Sequence, residues 1–279
     1  MRAARFVAAG FAGAVLALSA GAHRPADPFA DPDFRIVVNL PAYRLDAFVG
    51  DSVIATMGVA VGMPRYPTPR GEFEITSIDW NPRWVPPASP WAAKEKPMEP
   101  GPANPMGRVK LNFRPLYFLH GTPAEQSIGS AASHGCIRLH NADAIALALL
   151  VQRFGASRLS ESESEATALA QGSRTVTLDV PVPLSLRYDL VETRADSVHV
   201  YPDIYGLASA GLRAEVYGTL ARAAFDTTRL DDTRVRQLVT RLPRNGRAAV
   251  IETLLRTPTP TALPPPDRRD SADRKSGAR

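Results

Sequence analysis

Apolar and polar residues alternate in two runs, Phe34-Arg35-Ile36-Val37-Val38-Asn39-Leu40 and Tyr43-Arg44-Leu45-Asp46-Ala47-Phe48, with Pro41-Ala42 between them. A period of two marks a strand with one buried face, and the Pro-containing break reads as a turn. Gly50-Asp51 supplies the next turn, and 53–61 is a further strand of small residues. The pattern predicts a meander of antiparallel hairpins. Pro64, Pro67 and Pro69 make 62–71 a loop, because proline cannot donate to a sheet ladder. Alternation returns at 72–78, and short strands follow at 109–113 and 116–119, leading into His120.

The period then changes. Ala142, Ile145, Ala146, Leu149 and Leu150 recur at helical spacing, with Asn141 as a natural N-cap and Gly155 as a natural stop. A second short helix is predicted over 161–170, and returning strands at 175–178, 184–188 and 197–201. Further on, 212–224 reads as helix, and 233–255 as two shorter helical pieces around Pro243 and Gly246. Between the strands lies 81–104, irregular, with seven prolines and two tryptophans. Loops of that length in compact domains are usually lids, binding loops or disordered linkers; Trp84 and Trp91 argue against a wholly disordered segment, which leaves a loop or lid over a functional site, with a packed surface excursion as the alternative.

Composition adds limits. The chain has 279 residues, 44% hydrophobic, enough for one substantial core with extensions. The net charge of +5 suits an anionic neighbourhood, although five basic residues sit in the tail from Arg268 to Arg279. No basic stripe interleaves with aromatics, so nucleic-acid binding is not expected. Arg2 and Arg5, an uncharged apolar run over 6–18 and Ala20-Gly21-Ala22 form an export-signal pattern. The apolar run is short for a spanning helix, and membrane association is expected only if this segment stays uncleaved. The expected location is therefore the periplasm or cell envelope. The expected organisation is a signal peptide (1–22), a linker (23–33), a catalytic domain (34–206), a helical C-terminal extension (207–256) and a disordered, Pro- and Arg-rich tail (257–279).

One cysteine occurs in the whole chain, within Ser133-His134-Gly135-Cys136-Ile137-Arg138-Leu139. Outside the cytoplasm a lone thiol forms no internal disulfide and is exposed to oxidants, so its retention suggests use. A thiol becomes an effective nucleophile when an imidazole takes its proton. His120 and His134 are candidates; His120 is preferred because it ends a strand and is followed by Gly121, whose freedom lets a carbonyl approach the ring. The Gly135-Cys136 turn can aim backbone N–H groups at one point, as an oxyanion hole requires. Arg138 can clamp a substrate carboxylate. Two other readings exist: a zinc site of His120, His134 and Cys136, which lacks a standard spacing and a fourth ligand, and a structural turn with Cys136 buried. No metal and no cofactor is expected.

These residues resemble the signature of the L,D-transpeptidases with a YkuD-type catalytic domain. The likeness rests on His120-Gly121-Thr122-Pro123, Ser127-Ile128-Gly129 and the Ser133–Leu139 motif. It extends to Thr68-Pro69-Arg70-Gly71-Glu72-Phe73 and Gly101-Pro102-Ala103-Asn104-Pro105-Met106-Gly107, and covers 34–180. The segments 180–188 and 200–206 are similar to the C-terminal strands of the larger, periplasmic branch; the resemblance does not extend to 207–256. The resemblance implies a mostly β fold, a β-sandwich or open barrel with a helix after the cysteine. It implies Cys136 as nucleophile, His120 as general base and the Gly121 carbonyl as its orienting group. Gly135 and Cys136 amides would form the oxyanion hole, and Ser133, His134 and Arg138 would shape the site. The implied partner is a peptidoglycan tetrapeptide stem, acylated onto Cys136 with release of D-alanine and resolved by a neighbouring stem as a 3→3 cross-link. Other implied acceptors are a lipoprotein lysine, a D-amino acid or water, and a non-catalytic wall-binding module is the remaining alternative.

Overall fold

The structure, a computed structural model, describes residues 34–194, 197–208, 211–222, 227, 231–242 and 249–251. The expected export signal, linker and tail lie outside the described residues. Strands β1 (Phe34–Asn39), β2 (Arg44–Val49) and β3 (Ser52–Gly58) form the antiparallel meander. The run expected at 53–61 does not stay in one strand: β3 ends at Gly58 and β4 (Val61–Gly62) pairs elsewhere. There follow β5 (Gly71–Trp80), β6 (Val109–Arg114), β7 (Tyr117–Gly121), β8 (Ala131–Ser133), β9 (Ile137–Leu139) and β10 (Arg174–Arg187).

Eight of these strands form one mixed sheet, ordered β3-β2-β1-β10-β5-β6-β7-β9, in which β1/β10 and β7/β9 are parallel. The two edges meet. Ala60, which continues the β3 chain, exchanges both backbone hydrogen bonds with Arg138 of β9, each 2.9 Å. Beside it, β4 pairs in parallel with β8. The sheet is thus nearly closed, in keeping with the expected open barrel: mostly β, with a few helices. Ile36, Val38, Leu45, Ile75, Ile78, Leu111, Leu119, Ile137 and Leu139 fill its interior. Each such side chain contributes roughly 1.5–3 kcal/mol by leaving water.

Helix α1 (Asn141–Gly155) packs on β6, β7, β9 and β10. Its buried stripe is Ala144, Leu147, Ala148, Val151 and Gly155, whereas Ile145, Leu149 and Leu150 are half-buried at its border. The larger side chains of the expected stripe are therefore displaced to one side. Small residues sit where helix and sheet approach most closely: a Cβ on Gly155 would lie 2.9 Å from the Val180 carbonyl. Gln152 is admitted to the core because its Oε1 accepts from buried Trp80 Nε1, 3.0 Å. Helix α2 (Glu161–Leu169) begins with a full capping box of Ser160 and Glu163.

The strands expected at 175–178 and 184–188 are one strand, β10. Its pairing with β5 shifts register between Thr177 and Val182, and Pro181 falls within that break, where no ladder donor is needed. Beyond it, β11 (Val191–Arg194), β12 (Ser197–Val200) and β13 (Ala249–Ile251) form a separate antiparallel sheet. Helices α3 (Leu212–Arg222) and α4 (Asp232–Arg241) accompany it, and Val198, Val200, Val216, Leu220 and Val235 form a second small core. Ala249–Ile251 corrects the helical piece expected after Gly246. Pairing with β12 selects the extended form for a run of two β-branched residues, Val250 and Ile251.

Candidate active site

His120 and Cys136 are brought together by the parallel pairing of β7 with β9. The register is Leu119↔Ile137, His120↔Arg138 and Gly121↔Leu139. Leu119, Ile137 and Leu139 face the core, so the alternate positions His120 and Arg138 face the other side of the sheet. Cys136, at the mouth of β9, stands two residues before Arg138, level with Phe118. Its Sγ lies 3.6 Å from the Leu116 carbonyl. That carbonyl belongs to a two-residue turn, Pro115-Leu116, in which Leu116 has φ +69°. A branched side chain in the left-handed region is strained, and such strain collects where a backbone group must point at a chosen target.

His120 is 2% exposed. Its Nδ1 lies 2.6 Å from the Gly121 carbonyl, which can only accept, so Nδ1 carries the proton and Nε2 the lone pair. Burial, with smaller contributions from Arg138 and Lys110, pulls its pKa down to about 4 against support from Gly121. The ring is therefore a neutral base near pH 7. The chain next to Gly121 is held at Thr122. Asn141 accepts from Arg108 N–H at 3.1 Å and donates to the Thr122 carbonyl at 3.0 Å. Asn141 is thus the first residue of α1, not its cap; His140 occupies the cap position. Its amide crowds Gly107 and Gly121 so closely that a Cβ on either would collide with Oδ1.

The cysteine turn is built on Gly135, at φ +111°, where a Cβ would lie 2.8 Å from Tyr117 Cε1. Ser133, 1% exposed, spans the turn. Its hydroxyl donates to the Cys136 carbonyl at 2.5 Å and accepts from Gly135 N–H at 3.0 Å. Of the two amides expected to converge, the Gly135 N–H is therefore engaged within the turn. Thr68, from the Thr-Pro motif, donates its hydroxyl to the Gly135 carbonyl at 2.9 Å. Burial raises the Cys136 pKa, opposed by a backbone hydrogen bond at Phe118 and by Arg138 and Lys110. The resting site therefore holds a neutral thiol beside a neutral imidazole.

Around this pair the charge is positive. A single register row runs Thr175↔Asp79↔Lys110↔His120↔Arg138 across β10, β5, β6, β7 and β9. Lys110 pairs with Asp79 at 2.9 Å and lies 4.5 Å over the Phe118 ring. Arg138 has its pKa lowered by burial, partly offset by Cys136, and among the described residues no carboxylate forms an ion pair with it. His134 does not approach as a second base. Its ring stacks on Trp91 at 4.0 Å and 9°, and Tyr66 covers it at 4.9 Å. Trp91 comes from the Pro-rich loop, which therefore touches the cysteine motif at His134. Asn104 anchors that loop by donating to the carbonyls of Pro82, Met98 and Glu99. Among the described residues, no group of three or more His, Cys, Asp and Glu is placed to hold a metal. The spacing did not reveal the parts played by Tyr66, Lys110, Leu116 and Asn141. Thr68 and Asn104 lay within the recognised motifs, without a stated role.

The chain is similar to known proteins. A family model described as the L,D-transpeptidase catalytic domain, YkuD, matches residues 33–182. The protein named as the L,D-transpeptidase YkuD of Bacillus licheniformis is 34% identical over 119 residues, 42% of this chain and 60% of its own. ErfK/SrfK of Salmonella typhimurium, also named as an L,D-transpeptidase, is 36% identical over 119 residues, 39% of this chain and 38% of its own. The chain thus spans less than two thirds of either relative. Among solved structures, an L,D-transpeptidase from Mycobacterium smegmatis is similar at 17% identity and a TM-score of 0.37, over 56% of this chain and 58% of its own. With the family model covering more than half of its residues, the chain belongs to the YkuD family of L,D-transpeptidase catalytic domains.

Proposed function

We propose that the protein is a cysteine-dependent L,D-transpeptidase of peptidoglycan, exported to the cell envelope. The carrying observation is the placement of His120, its Nδ1 fixed by the Gly121 carbonyl, on the strand that pairs with the one Cys136 leads into. As a tetrapeptide stem binds, the Cys136 Sγ proton passes to His120 Nε2 while Sγ bonds to the carbonyl carbon of the third stem residue. The oxyanion takes the Cys136 N–H; one such donor is worth about 3 kcal/mol in the transition state. Collapse breaks the C–N bond to the terminal D-alanine, whose amine receives the proton from His120. An amine of a second stem then attacks the thioester, gives its proton through His120, and returns the thiol. The product is a 3→3 cross-link.

Arg138 supplies a cation for a stem carboxylate, and Trp91 with His134 forms an aromatic wall at the mouth. The net charge of +5 favours an anionic wall polymer, and 1–22 has the composition of an export signal. The test is incubation with disaccharide-tetrapeptide and mass spectrometry of the products. A dimer lacking one D-alanine is expected, with no release by Cys136→Ala and acylation of Cys136 by a carbapenem. A tripeptide alone would identify water as the acceptor. Unchanged release by Cys136→Ala would overturn the mechanism.

A further inference from the structure

The family match ends at residue 182, yet the chain beyond it returns to the catalytic turn. Tyr205 is the contact. Its hydroxyl donates to the Gly62 carbonyl at 2.8 Å and accepts from the Thr68 N–H at 3.2 Å. Thr68, 2% exposed, has one hydroxyl proton, which it gives to the Gly135 carbonyl at 2.9 Å while accepting from Gly62 N–H at 2.8 Å. Tyr205 and Thr68 thus serve both backbone groups of Gly62. A side chain at Gly62 is impossible, since its Cβ would stand 2.6 Å from Thr68 N. Gly62 in turn pairs with Ser133, the residue that spans the cysteine turn.

Tyr205 is itself fixed by its own segment. Its N–H donates to Tyr188 Oη at 2.7 Å, and Tyr188 Oη donates to Asp203 at 2.7 Å. Asp203 accepts from the N–H groups of Leu207 and Ala208, both at 2.8 Å, and the two tyrosine rings stack at 5.4 Å. Each of these contacts joins the chain after β10 to the loop between β4 and β5 or closes that segment on itself. The Tyr188 and Tyr205 rings also pack against the main core, so their hydroxyls, not their rings, are the groups specific to this network.

We propose that Tyr205 is a positioning residue for acyl transfer, acting through Thr68 to hold the Gly135-Cys136 turn at the orientation in which the Cys136 N–H meets an oxyanion. The described stretch around Tyr188, Asp203 and Tyr205 is then part of the active-site frame, not an appendage to it. The proposal rests on the acyl-transfer reading of Cys136 but not on the stem peptide as substrate. A turn displaced by a fraction of an ångström loses donor alignment without losing its thiol. Acylation through a tetrahedral intermediate therefore suffers, whereas simple alkylation of the sulfur does not.

The experiment compares full-length Tyr205→Phe, Thr68→Val, Thr68→Ser and the double variant Tyr205→Phe/Thr68→Val. Acylation of Cys136 by p-nitrophenyl acetate and alkylation by iodoacetamide are followed by mass spectrometry. Tyr205→Phe and Thr68→Val each slow acylation about ten-fold, the effect of one misplaced hydrogen bond. Alkylation stays within about two-fold, Thr68→Ser acylates nearly as wild type, and the double variant is no slower than Thr68→Val, because the two residues act in series. Wild-type acylation by Tyr205→Phe would overturn the proposal. So would a parallel loss of acylation and alkylation, which signals general loosening, or losses that multiply in the double variant. Failure of the wild type to release D-alanine from stems would overturn the substrate reading alone, since the ester and alkylation rates do not depend on it.

Discussion

Replacing His120 by Gln removes a base that folding keeps unprotonated, and the consequence appears in stability as well as rate. Burial, aided by Arg138 and Lys110, lowers its pKa to about 4, against about 6.5 in an unfolded chain. Between those values the unfolded chain binds a proton that the folded chain refuses. Stability is therefore lost as the pH falls through this window and is level below it. At about 1.4 kcal/mol per pH unit, the interval amounts to about 3 kcal/mol. Urea unfolding of wild type and His120→Gln from about pH 8 to about pH 4 isolates the effect, because the carboxylates titrate alike in both and cancel in the difference. The stability difference should move by about 3 kcal/mol in favour of the variant on acidification. A difference constant to within about 0.5 kcal/mol would refute the buried neutral base, and a movement in the opposite sense would show a protonated, paired imidazole. The same protonation state sets the chemistry. Alkylation of the wild-type thiol should rise with pH above neutrality, with no plateau near pH 5 of the kind a thiolate–imidazolium pair produces.

Three other substitutions probe the frame. Gly135→Ala imposes a side chain at φ +111°, within 2.8 Å of Tyr117; it should lower stability by about 2 kcal/mol and depress D-alanine release, and a Tyr117→Leu background should relieve the contact but not the backbone strain, read by thermal unfolding. Asn141→Ala leaves Arg108 N–H and the Thr122 carbonyl without their partner; a loss of about 1–3 kcal/mol and a fall in kcat with little change in KM are expected, and unchanged kcat would remove Asn141 from the support of His120. Trp91→Ala strips the stacked face from His134; KM for the stem should rise by about ten-fold at most, with iodoacetamide alkylation unchanged, and an unaltered KM would show that the loop does not touch the donor.

The strands of the meander and the two helices after the cysteine were legible because their periods are local. One face of β1 and β2 is apolar every second residue, and Ser160 and Glu163 mark a helix start without reference to anything distant. The candidate chemistry was legible for a similar reason, since His120-Gly121 and His134-Gly135-Cys136 are contiguous. What local pattern misled was the helix face. Leu149 and Leu150 outweigh Ala144 and Ala148 in hydrophobicity, but close approach to the sheet selects the small residues. The strand at Ala249–Ile251 escaped likewise, because its pairing partner β12 lies about fifty residues earlier.

The sequence by itself singled out Cys136 and His120 as the candidate nucleophile and base, and marked the strand leading into His120 and the helix after the cysteine, all from patterns of neighbouring residues. Only the tertiary structure decided that β7 runs parallel beside β9, so that residues sixteen apart share one face. It alone decided that Asn141 bonds the Arg108 N–H and the Thr122 carbonyl instead of capping a helix, that Ser133 takes the Gly135 amide, and that Tyr205 reaches Thr68 across 137 positions. A hydrogen bond between distant segments leaves no period in the chain. It exists only where the packing of a nearly closed sheet and its appended segment brings donor and acceptor within about 3 Å of each other.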